Sequence, residues 1–502
     1  MKKNVTIINI ISSIILQFFT IIYGFIIPKI IIVYFGSEVN GLVSSITQFL
    51  SYISLLEGGV TAVIIAKLYK PLVDHDDKKI SSIIVTANSF YKKIGMCFIV
   101  YSCLLAIFYP IIFNKFDFNY IYIFVLTLIL SISLIIQYML SLGVKCLLSA
   151  DKKIYIISFT QTIIIILNTI LGITSIKIYP NIHMFKFLTA VTYFLQPLIF
   201  GYIVKKHYTL NFKEKKDMTL INDRWSGFAN NIAYFIHNST DITILTIFTN
   251  LTIVSVYSVY NLVTSGIKAL IGAINNGVFP TIGHLYAKDD KNELLDKFNI
   301  YEVLYLSVVF VVLTVTAMLI TPFVKLYVGT DIFYSDYEQP MFGLIIVIAM
   351  AFDLSKIPHV NLSYSANKFK ELTFPCFVEA FINIIISIIF VNFLGLIGVA
   401  IGTLIAMIYR LIFQISFTKK IIGRPQKLFW KSFVLMSFSS LISFFICKII
   451  YPLTNISLFT WITAAFIYLI VSFISISVIL IVFYRKLLIK ILKRRTNNEK
   501  FD

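Results

Sequence analysis

Charge is scarce in this chain. Asp, Glu, Lys and Arg make up 13% of its 502 residues, apolar residues make up 58%, and the mean hydropathy is +0.88. A soluble globular chain is about a quarter charged. Water cannot accommodate this much apolar surface, so the chain reads as an all-α polytopic integral membrane protein. Cysteine is sparse too. Cys97, Cys103, Cys146, Cys376 and Cys447 all fall in apolar runs and none forms a CxxC pair, so neither a disulfide framework nor a zinc site is suggested. The six histidines are scattered, and no Walker A loop, HExxH or GxSxG is present. No stretch between apolar runs is long enough to fold as a soluble catalytic domain. These absences argue against an enzyme and call for no cofactor and no metal.

Acidic residues are also few, 24 against 43 basic, for a formal net charge of +19. In a soluble protein that excess would raise nucleic acid as a partner. Here the basic residues cluster in short loops between apolar runs, so they read as orientation signals and no nucleic acid is expected.

What the chain has in abundance is long apolar length. A span needs about 20 apolar residues to cross roughly 30 Å of hydrocarbon. The sequence holds about fourteen such runs, from 7–34 through 224–249 to 456–484. The first lacks a cleavage site and reads as an uncleaved span. Alternate loops are basic, among them Lys67, Lys70, Lys78 and Lys79, then Lys152 and Lys153, then Lys419, Lys420, Arg424 and Lys427. The intervening loops, such as FGSEVNG and VNFLG, are poor in Lys and Arg. The positive-inside rule then places both termini in the cytoplasm.

A weak repeat runs through the pattern. The second run closes on Leu68-Tyr69 and the eighth on Leu285-Tyr286, an offset of 285 − 68 = 217 residues, each followed by an acidic-basic linker. Spans one to six thus pair with seven to twelve in the same order. The expected architecture is two parallel-repeat six-helix bundles around a central cleft, 1–210 and 211–423. Two additional helices, 424–485, and a basic cytoplasmic tail, 486–502, stand outside the repeat. Such a layout is typical of alternating-access transporters.

Charges inside spans are costly and mark interior or wet positions. The deepest are Glu57, Asp241, Lys268, Asp353, Lys356, Glu379 and Arg410. Glu57 opens the EGG of LLEGG. Gly58 and Gly59 allow a bend or a close backbone approach there, and Glu57 either pairs with a lysine of another helix or acts in gating or cation coupling. Lys268, in TSGIKALIGAINNG, either pairs with Asp241 on the adjacent span or meets a substrate phosphate. Asp353 and Lys356 are spaced i,i+3 and read as a local ion pair. Arg410 and Glu379 read as structural partners, and His237 as hydrogen-bonded packing.

The stretch FGSEVNGLVSSITQFLSYISLLEGGV, followed by LYKPL and a charged linker, resembles the polysaccharide biosynthesis flippases of the multidrug/oligosaccharidyl-lipid/polysaccharide exporter superfamily. The resemblance implies a bacterial inner-membrane transporter of undecaprenyl-diphosphate-linked oligosaccharide repeat units, working with glycosyltransferases and a polymerase in surface polysaccharide assembly. No motif fixes the basic positions that would meet the pyrophosphate. Lys268, Lys356 and Arg410 are the candidates on physical grounds, and Glu57, Gly58, Gly59 and Asp241 are the gating or ion-coupling candidates. The alternatives are a multidrug/cation antiporter of the same superfamily, for which an acid-dominated cavity is expected, and a non-transporting scaffold for envelope enzymes, which needs no charged cleft.

Overall fold

The computed structural model describes residues 2–57, 59–113, 118–217, 225–287, 290–329, 334–487 and 489, and among them there are helices and no strand. They group into two compact units, Met1–Ser258 and Val259–Asp502. The first comprises α1 (Lys2–Phe35), α2 (Ser37–Ser51), α3 (Val60–Asp74), α4 (Asp77–Ile112), α5 (Tyr120–Ile136), α6 (Leu142–Ala150), α7 (Ile154–Ile178), α8 (Ile182–Val191), α9 (Leu195–His207), α10 (Trp225–Phe248) and the start of α11 (Leu251–Ala287). The second takes the rest of α11, then α12 (Lys291–Val328), the short α13 (Tyr334–Tyr337), α14 (Pro340–Ser355), α15 (Ile357–Ser365), α16 (Phe369–Leu394), α17 (Leu396–Ile422), α18 (Gln426–Ile450) and α19 (Leu458–Phe483).

Thirteen helical stretches among the described residues are long and apolar enough to cross a membrane. The remaining expected run, 224–249, coincides with α10, whose described side chains give the shorter apolar stretch Ser239–Phe248. The chain is a multi-pass membrane protein. Lipid offers the backbone no hydrogen-bond partner, so a crossing segment must close its own ladder, and helices do so. Outward-facing Ile14, Phe18, Phe393 and Phe459 are strongly exposed apolar side chains, as a lipid-facing surface requires.

Four spans are interrupted, the sixth by a 3₁₀ turn at Thr192–Phe194 between α8 and α9. The second runs α2, a 3₁₀ turn at Tyr52–Leu56, and then α3, which starts after Gly59 at φ +83°. That left-handed conformation is what glycine permits, and it is the local reason for the second glycine of LLEGG. Gly58 lies outside the described residues. The fourth span, α5 to α6, contains a π turn at Gln137–Ser141. The tenth breaks between α14 and α15 at Lys356, where Pro358 removes a backbone donor.

The repeat is visible in the turns. Asp76 caps α4 by accepting from Lys79 N at 3.0 Å, and Asp290 caps α12 by accepting from Glu293 N at 2.9 Å. The backbone hydrogen bond from Lys79 also holds the exposed Asp76 carboxyl below its ordinary range. Lys152 and Asn367 both adopt positive φ just before α7 and α16, an offset of 367 − 152 = 215 residues.

In the second unit, α16 and α17 approach closely through Gly398 and Gly402, a small-xxx-small pair. A Cβ on Gly398 would strike the Phe390 carbonyl, and one on Gly402 would strike Ser387. Asn383 Nδ2 donates to Thr403 Oγ1 across this seam at 2.9 Å. The helices α18 and α19 join through Ser439 and Ser475, 2.7 Å apart, and pack on α12 through Phe310 and Phe433.

Candidate functional site

The helix break at Lys356 and the α16–α17 seam bring five charged side chains into one chain of contacts in the second unit. Lys268 Nζ, near the middle of α11, lies 2.7 Å from Asp353 Oδ2. Asp353 Oδ1 lies 2.8 Å from Lys356 Nζ. Lys356 reaches Glu379 Oε1 at 3.4 Å, and Arg410 Nε reaches Glu379 Oε2 at 3.4 Å. Arg410 also donates to the Leu372 carbonyl at 3.5 Å. Three cations thus alternate with two anions. Exposure falls along the chain, from 41% for the Lys268 side chain to 19% for Asp353, 15% for Lys356, 7% for Glu379 and 5% for Arg410. Lys268 is the open end and Arg410 the closed one.

This arrangement corrects one expectation. Lys268 pairs with Asp353 rather than with Asp241. Lys268 belongs to the second unit and Asp241 to the first, where the buried Asp241 accepts from Tyr257 OH at 3.0 Å. Lys356 and Arg410 meet the open end only through carboxylates. The spacing of Asp353 and Lys356 does give a local ion pair. Near it, Tyr305 is buried within electrostatic reach of Asp353, and its hydroxyl has no hydrogen-bond partner among the described residues. A separate hollow of about 270 Å³ between α12, α14 and α18 is lined by Phe310, Leu344, Ala351 and Phe433 and holds none of these charges.

Glu57 has no lysine partner among the described residues. It sits in a cage of hydroxyls instead. Thr61 Oγ1 donates to Oε1, Tyr138 OH to Oε2 at 3.4 Å, and Tyr91 OH lies 2.6 Å from Thr61 Oγ1. Gly59 starts the helix that carries Thr61, and the π turn carries Tyr138, so two backbone irregularities shape the cage. Half of the side chains of α10, His237 and Asn238 included, lie outside the described residues.

No protein-family model and no curated protein sequence matches the chain. Solved structures do match. The lipid II flippase MurJ, in an inward closed conformation, superposes with a TM-score of 0.69 at 18% identity over 96% of this chain and 99% of that one. An inward-facing multidrug resistance MATE family transporter of the MOP superfamily gives 0.62 at 14% identity, over 83% and 98%. The Vibrio cholerae MATE transporter VcmN in its bent form gives 0.54 at 13% identity, over 85% and 99%. The chain has the fold of these transporters.

On that fold, one buried network was not legible as a site from the sequence. Glu302 of α12 takes two guanidinium bonds from Arg424, NH1 to Oε2 at 2.7 Å and NH2 to Oε1 at 2.6 Å. His359 Nε2 lies 2.8 Å from Glu302 Oε2, and Arg424 Nε donates to Asn299 at 2.6 Å. The ring of His359 is held edge-on by Phe298 and Phe429. Arg424 reads as an orientation charge in a cytoplasmic loop, yet its side chain is almost wholly buried, because Glu302 sits in an apolar run and needs a bidentate partner. The signal available was Glu302 itself, an acid within a span-length stretch.

Proposed function

We propose that the protein is an alternating-access flippase that moves undecaprenyl-diphosphate-linked oligosaccharide repeat units from the cytoplasmic to the outer leaflet of the bacterial inner membrane. Both termini face the cytoplasm, and the glycosyltransferases and polymerase of surface polysaccharide assembly are the working partners. The likeness in fold to a lipid II flippase supports a lipid-linked substrate. One observation carries the reading furthest: Lys268 is a cation near the middle of α11, 41% exposed, at the open end of a charge chain with one more positive than negative member. A hydrated anion in hydrocarbon must shed its water, and an accessible ammonium there replaces part of what it loses. Lys356 and Arg410 act behind Lys268 as its electrostatic support, and Glu57, Gly58, Gly59 and Asp241 serve gating or ion coupling in the first unit. The positive excess speaks against a drug-cation antiporter, for which acids should dominate. Outward movement of a diphosphate is itself favoured by an inside-negative potential, by about 2.3 kcal/mol per charge per 100 mV.

The test is Lys268→Gln in cells whose surface polysaccharide depends on this protein. Surface glycan should disappear while the variant accumulates as a folded membrane protein. Normal surface glycan would remove Lys268 from the site and with it the basis of the reading.

A further inference from the structure

We infer that Asp353 is a built-in stand-in for the substrate's phosphate: its carboxylate occupies Lys268 when the site is empty, is displaced when a diphosphate arrives, and returns to Lys268 to drive the product off. The inference rests on the phosphate-binding reading of Lys268 and adds a specificity-setting and release-setting residue to it.

The geometry points to this role. Asp353 divides its two oxygens between Lys268 at 2.7 Å and Lys356 at 2.8 Å. When an anion takes Lys268, Asp353 keeps Lys356, so displacement does not strand a carboxylate, and this bond alone has to open. Lys268 has no second anion among the described residues. The pair is also the most exposed link of the chain, and partial exposure weakens a Coulombic contact. It is therefore the link an incoming ligand opens at least cost. The buried Tyr305 hydroxyl of the same unit has no hydrogen-bond partner among the described residues and is a donor left unused there. A neutral ligand has no means of displacing Asp353, so the carboxylate selects for an anion able to outcompete it. Two phosphates do so better than one carboxylate.

A residue that competes with the substrate has a signature that a strut lacks: its removal tightens binding. The experiment uses full-length protein in lipid nanodiscs with farnesyl diphosphate as the probe, and with inorganic diphosphate and farnesol alongside. Asp353→Asn keeps the shape and removes the charge. It should bind farnesyl diphosphate roughly three- to tenfold more tightly and release it correspondingly more slowly, the scale of one partly exposed ion pair. Inorganic diphosphate should show the same gain and farnesol none. Asp353→Glu, which keeps the carboxylate, should bind like the parent. If the amide does not fold, Asp353→Ser makes the same neutral test with a smaller side chain. Lys268→Gln should lose binding of both diphosphates. Loss of binding in Lys268→Gln together with unchanged or weaker binding in Asp353→Asn would overturn the stand-in role and leave the phosphate site intact. Parent-like binding in Lys268→Gln would overturn both. A gain for farnesol in Asp353→Asn would assign the effect to the lipid chain and overturn the inference.

Discussion

Removing Arg424 tests how much the buried network of the second unit contributes. In Arg424→Met, Glu302 loses both guanidinium bonds, at 2.6 and 2.7 Å, and keeps only His359 Nε2 at 2.8 Å in a site with no exposure. Stranding a buried charge in this way costs about 3–5 kcal/mol, roughly two to four powers of ten in the folding equilibrium. Glu302→Gln is milder, because Arg424 retains Asn299 and the face of Phe298, and it should cost about 1.5–3 kcal/mol, the worth of hydrogen bonds to a charged group. In Glu302→Gln combined with Arg424→Met neither charge is left to strand. The double variant should therefore lie well above the sum of its single changes, with a coupling of about 2–3 kcal/mol. Detergent-titrated unfolding in mixed micelles reads this directly. Trp430 packs edge-on against Phe429, which contacts the His359 ring, so its fluorescence reports the region. Single variants costing under about 1 kcal/mol and simply adding in the double would refute the reasoning, because such a result describes a solvated pair.

Further outcomes can be read in the same micelle titration or in cells. Gly402→Leu forces a side chain into Ser387 and the Asn383 backbone, so it should cost about 1–3 kcal/mol by overpacking; parent-like stability would mean that α16 and α17 are not in close contact. Gly59→Ala must hold φ +83° with a Cβ and should cost about 1–2 kcal/mol, and a neutral result would remove the left-handed break. Glu57→Gln keeps its hydrogen-bonding shape within the hydroxyl cage, so it should fold normally and slow transport. Unchanged transport would leave Glu57 as a helix-break strut.

The spans were legible because lipid imposes a one-dimensional demand, continuous apolar length, that a sequence displays directly. Asp353 and Lys356 were legible for a related reason: i,i+3 spacing fixes a shared helix face whatever surrounds it. For Lys268 the sequence offers Asp241 as one possible partner, but proximity in sequence does not fix which helix lies against which, and the actual partner comes from α14, 85 positions downstream (353 − 268). The burial of Arg424 is hidden in the sequence because a basic residue flanking a span reads first as an orientation charge, and only three-dimensional packing brings Glu302 to it. The Gly398-x-x-x-Gly402 spacing was open to view but states only that some backbone comes close. Which backbone it is, Phe390 in α16, depends on the short turn at Gly395 that folds α16 back on α17.

The two units carry different chemistry at comparable places along the chain. The 215-residue offset that aligns the turns at Lys152 and Asn367 also pairs Tyr138 with Asp353 (353 − 138 = 215). Tyr138 lies in the π turn of the fourth span of its set, and Asp353 lies in α14 three residues before the break at Lys356 in the corresponding span of the other (356 − 353 = 3). Each reaches across to the second span of that set, Tyr138 to Glu57 at 3.4 Å and Asp353 to Lys268 at 2.7 Å. The helix interruptions place the junctions, and the side chains fix their sign. An acid answered by neutral hydroxyls leaves a net negative group, which suits a cation or a proton. A base answered by an acid that is itself shared with Lys356 leaves an exchangeable positive end, which suits an anion. If the two junctions do divide the work in this way, Tyr138→Phe should weaken the cation dependence of transport without changing diphosphate affinity, and Asp353→Asn should do the reverse. Equal effects of both changes on both properties would show that the resemblance of the two junctions is inherited backbone and nothing more.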